Sequence, residues 1–213
     1  MFITLEGIEG SGKTTQIQTV LDWLTAAGFD CLATREPGGT PIGSQIRAVL
    51  LDPQNRDLAA VAELLLYTAD RAQHLEKVVR PALAAGTAVV CDRFFDATLV
   101  YQGYARGLDK AMVRQLHQLA CAGLVPDLTL LLDLPAGVGL ARAWRRIHAD
   151  AAHGLESRFE AEALAFHERV RAGYLELARR EPTRFAIVDG AADAAAVRRQ
   201  IEAALAARIQ FSP

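Results

Sequence analysis

The residues Gly7-Ile8-Glu9-Gly10-Ser11-Gly12-Lys13-Thr14-Thr15 fit G-x-x-x-x-G-K-S/T and follow an apolar run, Phe2 to Leu5, that reads as an opening strand. In that context the stretch is a phosphate-binding loop. Its glycines let backbone N–H groups close around polyphosphate oxygens, and the helix that follows presents its positive end. Lys13 reaches the outer phosphates and the Thr14 hydroxyl is a candidate Mg²⁺ ligand. The chain holds three lysines, Lys13, Lys77 and Lys110, and one of them falls at the required offset. Gly7, Glu9, Gly10, Ser11, Gly12, Lys13, Thr14 and Thr15 are therefore the candidate nucleoside triphosphate contacts.

Three further clusters carry chemistry. Tyr67 and Arg71 lie four apart on a helical pattern over 57–77, so they share a face on which a ring stacks on a nucleobase while a guanidinium donates to a carbonyl edge. The same spacing is also ordinary helix surface. Asp92-Arg93, followed by Thr98, Tyr101 and Gln102, sets an arginine at a strand end to clamp a phosphate, with Asp92 as a second candidate Mg²⁺ ligand. A buried structural ion pair is the alternative there. Arg142, Arg145, Arg146 and Arg158 flank a break in helical rhythm at 151–157 that reads as a flap, with Val138, Ala141, Trp144 and Ile147 spaced as an apolar stripe. Such a run is commonly a solvated basic face. Yet phosphoryl transfer concentrates negative charge on the moving group, and an arginine finger is worth roughly 10³ to 10⁵ in rate.

The elements that must position these residues alternate. Apolar runs at Phe2–Leu5, Cys31–Thr34, Thr87–Cys91, Leu128–Leu132 and Phe185–Val188 are separated by longer helical patterns, which predicts an α/β fold with a parallel sheet. Thr40-Pro41 is an N-cap followed by proline, and Asp57 and Asp109 head helical segments. The segment 191–207 reads as an amphipathic helix. Ligands of such a sheet gather outside the carboxyl ends of the strands. The phosphate loop, Arg35-Glu36-Pro37-Gly38-Gly39, Asp92-Arg93 and Asp133-Leu134-Pro135 all fall on that rim.

Composition narrows the class. At 213 residues, 51% hydrophobic, the chain is expected to form a single domain over 1–213 with one flap at about 142–160. A net charge of −2 gives no footprint for a long nucleic acid. Cys31, Cys91 and Cys121 form neither a disulfide framework nor a metal pattern. Asp133 interrupts the most hydrophobic stretch, and Glu6, Glu9 and Lys13 fall where a secretory leader needs an apolar core, so a cytoplasmic protein without a membrane segment is expected. The single asparagine, Asn55, is followed by arginine, which removes the N-K-x-D element of guanine-reading switches, and no L-S-G-G-Q-like signature of a transporter motor occurs. A small-molecule kinase remains, or a nucleotide sensor that closes its flap without chemistry. None of the five histidines sits in the three clusters as a general base. That favours an acceptor already ionised near neutral pH, such as a nucleoside monophosphate.

Taken in order, Leu5 to Thr15, Arg35-Glu36-Pro37-Gly38-Gly39-Thr40, Tyr67 to His74, Asp92-Arg93-Phe94 and Tyr101-Gln102-Gly103 resemble the bacterial thymidylate kinases over nearly the whole chain. The resemblance implies transfer from ATP to dTMP with Mg²⁺, a P-loop three-layer fold on a five-stranded parallel sheet, and a homodimer. It implies that Tyr67 takes the place of the ring stacked on thymine, that Arg71 reads O4 and Thr98 reads N3, and that Arg47 and Arg93 serve the acceptor phosphate. Glu9 stands at the loop carboxylate used toward the sugar 3′-hydroxyl or the metal site, and Tyr101 is placed to reject a 2′-hydroxyl. Gln102 joins the substrate contacts, and Arg146 or Arg142 supplies the flap's basic group. The chain departs from the family pattern at Tyr67, usually Phe, at Ala97, commonly Ser, and at Glu156-Ser157-Arg158-Phe159-Glu160, where Asp-Arg-x-Glu is more frequent.

Overall fold

A computed structural model describes residues 1–149 and 157–209. Its strands β1 (Phe2–Glu6), β2 (Cys31–Arg35), β3 (Ala88–Asp92), β4 (Leu128–Asp133) and β5 (Phe185–Asp189) form one parallel sheet in the order β2-β3-β1-β4-β5. β1 pairs with β3 on one side, Leu5 opposite Asp92, and with β4 on the other, Leu5 opposite Leu130. The three central strands are buried almost throughout, as a sheet covered on both faces demands, and their sequences are accordingly continuous apolar runs. Each strand extends one residue beyond its apolar run and ends on a charged side chain: Glu6, Arg35, Asp92, Asp133 and Asp189. The backbone ladder continues to the rim, where the side chain no longer has to be apolar.

Alternation along the strands sends Ile3, Leu5, Val90, Leu130 and Leu132 to one face, against Val20 and Leu24 of α1 (Lys13–Ala26) and Val197, Ile201 and Leu205 of the last helix. The opposite face carries two clusters. Phe2, Val89 and Phe94 pack with Leu75 and Val79, while Leu131 and Phe185 pack with helices later in the chain. Between β2 and β3 run α2 (Pro41–Leu51), α3 (Ala60–His74), a π-helical turn over Leu75–Val79, and α4 (Arg80–Ala84). After β3 come α5 (Phe95–Thr98), a second π-helical stretch over Leu99–Ala105, and α6 (Lys110–Cys121). α7 (Ala136–Ala149) follows β4, α8 (Leu164–Arg180) precedes β5, and α9 (Ala194–Arg208) closes the described chain.

The expected caps at Thr40 and Asp109 form: Thr40 Oγ1 accepts from Gly43 N at 2.9 Å and Asp109 Oδ1 from Ala111 N at 2.9 Å. Asp57 does not cap. It lies in a turn, and α3 starts three residues later behind Ala59, which offers no side-chain acceptor. The last helix is capped by Asp193, which accepts from Ala196 N, and so begins later than the sequence pattern suggests. The stripe expected on α7 is also displaced. Ala136, Gly139, Ala143 and Ile147 are buried, whereas Val138 and Trp144 are exposed. The helix lies so close to the phosphate loop that small residues, not large apolar ones, form its inner face. A Cβ on Gly139 would stand 2.5 Å from the Glu9 carbonyl, and one on Gly10 would stand 2.1 Å from the Gly139 carbonyl. Gly10 also adopts φ 69°, a second reason for glycine there. The predicted flap, 142–160, includes 150–156, which lie outside the described residues.

Candidate active site

At the carboxyl rim of β1, β2 and β3 opens a cavity of about 820 Å³. This is the crevice expected where strand order reverses on either side of β1. Phosphate-loop residues Glu9 to Thr15 line one end, and Arg47, Tyr67, Arg71, Arg93, Thr98, Tyr101 and Gln102 line the other. The predicted fourth rim segment takes no part. Asp133 is held by Arg171 of α8 through two hydrogen bonds of 2.7 and 2.8 Å and does not line the cavity.

α1 begins behind Gly12, which carries no capping side chain, and no acidic residue occupies the first turn. Its leading N–H groups are thereby left for an anion. The Lys13 ammonium curls over the loop and donates to the carbonyls of Gly7 (3.0 Å) and Ile8 (2.9 Å) and to Ser11 Oγ (3.2 Å). Burial and the Arg93 charge lower its pKa to about 8 against the pull of Asp92, Glu9 and Glu6. Thr14 Oγ1 donates to Asp92 Oδ2 at 3.2 Å, so the two predicted metal-site residues meet at the cavity's mouth.

Arg93 is the hub. Its φ of 68° is unusual for a side-chain-bearing residue, and its backbone N–H is tied to the Leu5 carbonyl at 3.0 Å. From there its guanidinium donates to the Gly7 carbonyl (2.8 Å), the Tyr174 hydroxyl (3.1 Å) and Glu9 Oε1 (3.1 Å), with its carbon 5.0 Å from the Tyr101 ring centre. Tyr174 in turn donates to Glu6 Oε2 at 2.7 Å, and Phe94 N donates to Glu6 Oε1 at 2.7 Å. Burial, with Asp96 adding, raises the Glu6 pKa to about 7 even so. Glu9 behaves oppositely. Burial would raise it, but a hydrogen bond from His167 together with the charges of Arg93, His167 and Lys13 lowers it to about 2. Tyr101 also donates to Glu9, at 2.5 Å.

The Arg71 end of the cavity is equally ordered. Arg71 donates to Glu36 Oε2 (2.7 Å), Thr98 Oγ1 (2.8 Å) and the Phe94 carbonyl (3.3 Å), and lies 5.3 Å from the Phe94 ring centre. His74 Nδ1 meets the other oxygen of Glu36 at 2.8 Å. Tyr67, half-buried one turn before Arg71, has its hydroxyl pushed above the usual phenol range by burial and by Glu63. Gln102 donates to Glu63 at 2.9 Å, and Arg47 donates to the Pro37 carbonyl at 3.0 Å.

The two candidate flap arginines separate. Arg146 lines the cavity, 3.7 Å from Glu160. Arg142 reaches the other way and donates to the carbonyls of Gly190 (2.7 Å) and Ala191 (3.2 Å) beyond β5. Arg158 is buried between Glu63 and the Leu50 carbonyl, at 2.5 Å from each, and anchors its segment to α2 and α3. Tyr174 and His167 have no counterpart among the residues expected from sequence. His167 of α8, more than 150 residues from the loop, sits against Glu9; only its helical spacing of seven from Tyr174 hinted that both share a buried face.

A family model described as thymidylate kinase matches residues 5–201. The chain is 57% identical to the thymidylate kinase of Desulfosudis oleivorans over 205 residues, 96% of each chain. It is 60% identical to that of Syntrophotalea carbinolica over 188 residues, 88% of this chain and 87% of that one. The crystal structure of the Ehrlichia chaffeensis thymidylate kinase superposes with a TM-score of 0.75 at 31% identity, covering 97% of this chain and 98% of the other. With a phosphate-binding loop motif and the buried Arg71 opening into one crevice, this chain belongs to the thymidylate kinase family.

Proposed function

We propose that this chain transfers the γ-phosphoryl group of ATP to dTMP, giving ADP and dTDP. The observation that carries the reading is that one cavity holds a Lys13-bearing anion loop at one end and Tyr67, Arg71 and Thr98 at the other. The triphosphate lies along the loop amides, while thymine stacks on Tyr67 with O4 toward Arg71 and N3 toward Thr98. Arg93, already fixed by three acceptors, and Arg47 neutralise the acceptor phosphate. The attacking oxygen belongs to a phosphate monoester ionised near neutral pH, so the site needs no general base. Lys13 and Arg146 stabilise charge on the transferring group.

Thr14 and Asp92, two hard oxygen donors 3.2 Å apart, suit a Mg²⁺ ion that takes few protein ligands. They would hold it there, and when bound it would neutralise phosphate oxygens. Residues 142–160 act as the flap of a single kinase domain spanning 1–213. The enzyme works in the cytoplasm on ATP and dTMP alone, without long nucleic acid or membrane. Cys31, Cys91 and Cys121 are free, which suits a reducing compartment, and among the described residues no helix is long and apolar enough to span a bilayer. The chain forms a homodimer through α2 and α3, a reading supported by the exposure of Ile42, Val49, Val61 and Leu65, each at least 44% accessible. Light scattering tests the dimer, and a monomer at micromolar concentration would refute it.

The deciding experiment measures ADP formation with dTMP, dUMP, dCMP, dGMP and AMP as acceptors. The dTMP rate should lead the series. A purine monophosphate in first place would reject the thymine pocket, and the absence of dTMP-dependent ADP would leave a nucleotide sensor.

A further inference from the structure

The proposed transfer gives no task to His167, yet its side chain is polar and fully buried. Its ring stands between two acceptors. Nε2 lies 3.1 Å from the Phe159 carbonyl oxygen and Nδ1 lies 3.0 Å from Glu9 Oε2. Both partners are oxygen acceptors, so each ring nitrogen stands within hydrogen-bond reach of one. The ring therefore does more than fill volume beside Phe166, whose ring meets it edge-on at 5.5 Å.

Each end of this bridge leads to the site. Phe159 follows Arg158, whose backbone and guanidinium are tied to Leu51, Leu50 and Glu63, so the carbonyl that His167 meets is itself fixed. At the other end, Glu9 Oε1 is occupied by Tyr101 and Arg93, and His167 supplies the donor recorded for Oε2. Without it the carboxylate keeps donors on one oxygen and gains freedom to swing, and Arg93 and Tyr101 lose a rigid partner.

We propose that His167 is a positioning residue for phosphoryl transfer: a two-ended bridge that locks the phosphate-loop carboxylate Glu9 to the Ser157–Ala161 turn and thereby sets Arg93 and Tyr101 against the acceptor nucleotide. The inference rests on the dTMP kinase reading and extends it to a residue in the second half of the chain.

Amide side chains separate the two ends. The nitrogen of Asn superposes on Nδ1 and that of Gln on Nε2. His167→Asn therefore keeps the Glu9 bond and His167→Gln keeps the Phe159 bond, while His167→Phe keeps ring volume and neither bond. Steady-state kinetics and thermal midpoints are measured for all three. His167→Gln and His167→Phe should lose about tenfold or more in kcat with dTMP, the scale of one hydrogen bond to a charged group. Their KM for ATP should change little, and His167→Asn, which keeps the Glu9 end and gives up the Phe159 end, should recover only part of the loss. Three variants with wild-type kcat would overturn the proposal. So would losses that are equal in Asn and Gln and follow the thermal midpoints, since these would mark a packing role alone. Wild-type turnover of dTMP in the same assay exposes any failure of the substrate assignment, whereas a failure of the bridge shows only in the variants.

Discussion

Replacing Arg71 with alanine perturbs a side chain that both holds the fold and faces the acceptor. In the folded chain its guanidinium is buried and neutralises Glu36 at 2.7 Å, with further bonds to Thr98 and the Phe94 carbonyl. Alanine leaves Glu36 buried with the His74 ring, 2.8 Å from its other oxygen, as a remaining partner. Removing one member of a buried pair costs about 3–5 kcal/mol. The His74 contact puts this case near the lower figure, so a stability loss of ~3 kcal/mol is expected, or roughly 6–12 °C in the thermal midpoint for a chain of this size. On the proposed placement of thymine, the same substitution also deletes a charged hydrogen bond to O4, worth about 1.5–3 kcal/mol, which predicts a KM for dTMP raised by ~10- to 100-fold. ATP binds at the other end of the cavity, and its KM should move little. The double variant Arg71→Ala/Glu36→Gln separates the effects: it removes the stranded charge and should regain much of the stability, while dTMP affinity stays low. Equal increases in KM for ATP and dTMP, or an unchanged thermal midpoint, would refute the reasoning.

Other consequences follow from the same geometry. Lys13→Ala removes a preorganised charge and should slow turnover by about 10²-fold or more, ~3 kcal/mol in the transition state; near-normal turnover would contradict its role. Because burial lowers the Lys13 pKa to about 8, the free enzyme's kcat/KM for ATP should fall above that pH as the ammonium loses its proton, and a profile flat to pH ~9.5 would count against this. Glu9, whose pKa falls from 4.5 to about 2 on folding, contributes ~3 kcal/mol of stability that is complete above pH 4.5 and lost as pH drops toward 2. Glu9→Gln should therefore flatten the acid limb of urea-midpoint against pH, and an unchanged limb would reject the assignment. Arg146→Ala should lower kcat by about 10³-fold, more than Arg142→Ala, whose parent side chain is engaged with the Gly190 and Ala191 carbonyls; the reverse order would transfer the flap role to Arg142.

The phosphate loop, the placement of the chemistry-bearing segments just after strands and the Tyr67–Arg71 face were legible because each depends on local spacing. Strand ends were less so. The apolar pattern stops where burial stops, but the ladder runs on to Glu6, Arg35, Asp92, Asp133 and Asp189, whose side chains meet the rim. The inner face of α7 was misread for a related reason: close approach to Gly10 selects Gly139 and Ala143, and hydrophobicity alone points to the larger Val138 and Trp144. The π-helical stretches at Leu75–Val79 and Leu99–Ala105 have no recognisable periodic signature, yet the second carries Tyr101 and Gln102 to different partners, Glu9 and Glu63. His167 and Tyr174 reach the site only through tertiary packing of α8, so nothing near them in sequence links them to Glu9 or Arg93. Asp133 illustrates the converse. Its rim position was read correctly, but its Arg171 partner lies 38 residues on.

The central claim is that one crevice binds a triphosphate on the Gly7–Thr15 loop and a thymine nucleotide against Tyr67, Arg71 and Thr98. A crystal structure with dTMP and a non-hydrolysable ATP analogue tests it most directly. It should show the outer phosphates within hydrogen-bond reach of Lys13 and thymine O4 within reach of Arg71. Either nucleotide bound outside that crevice, or thymine turned away from Arg71, would contradict the account.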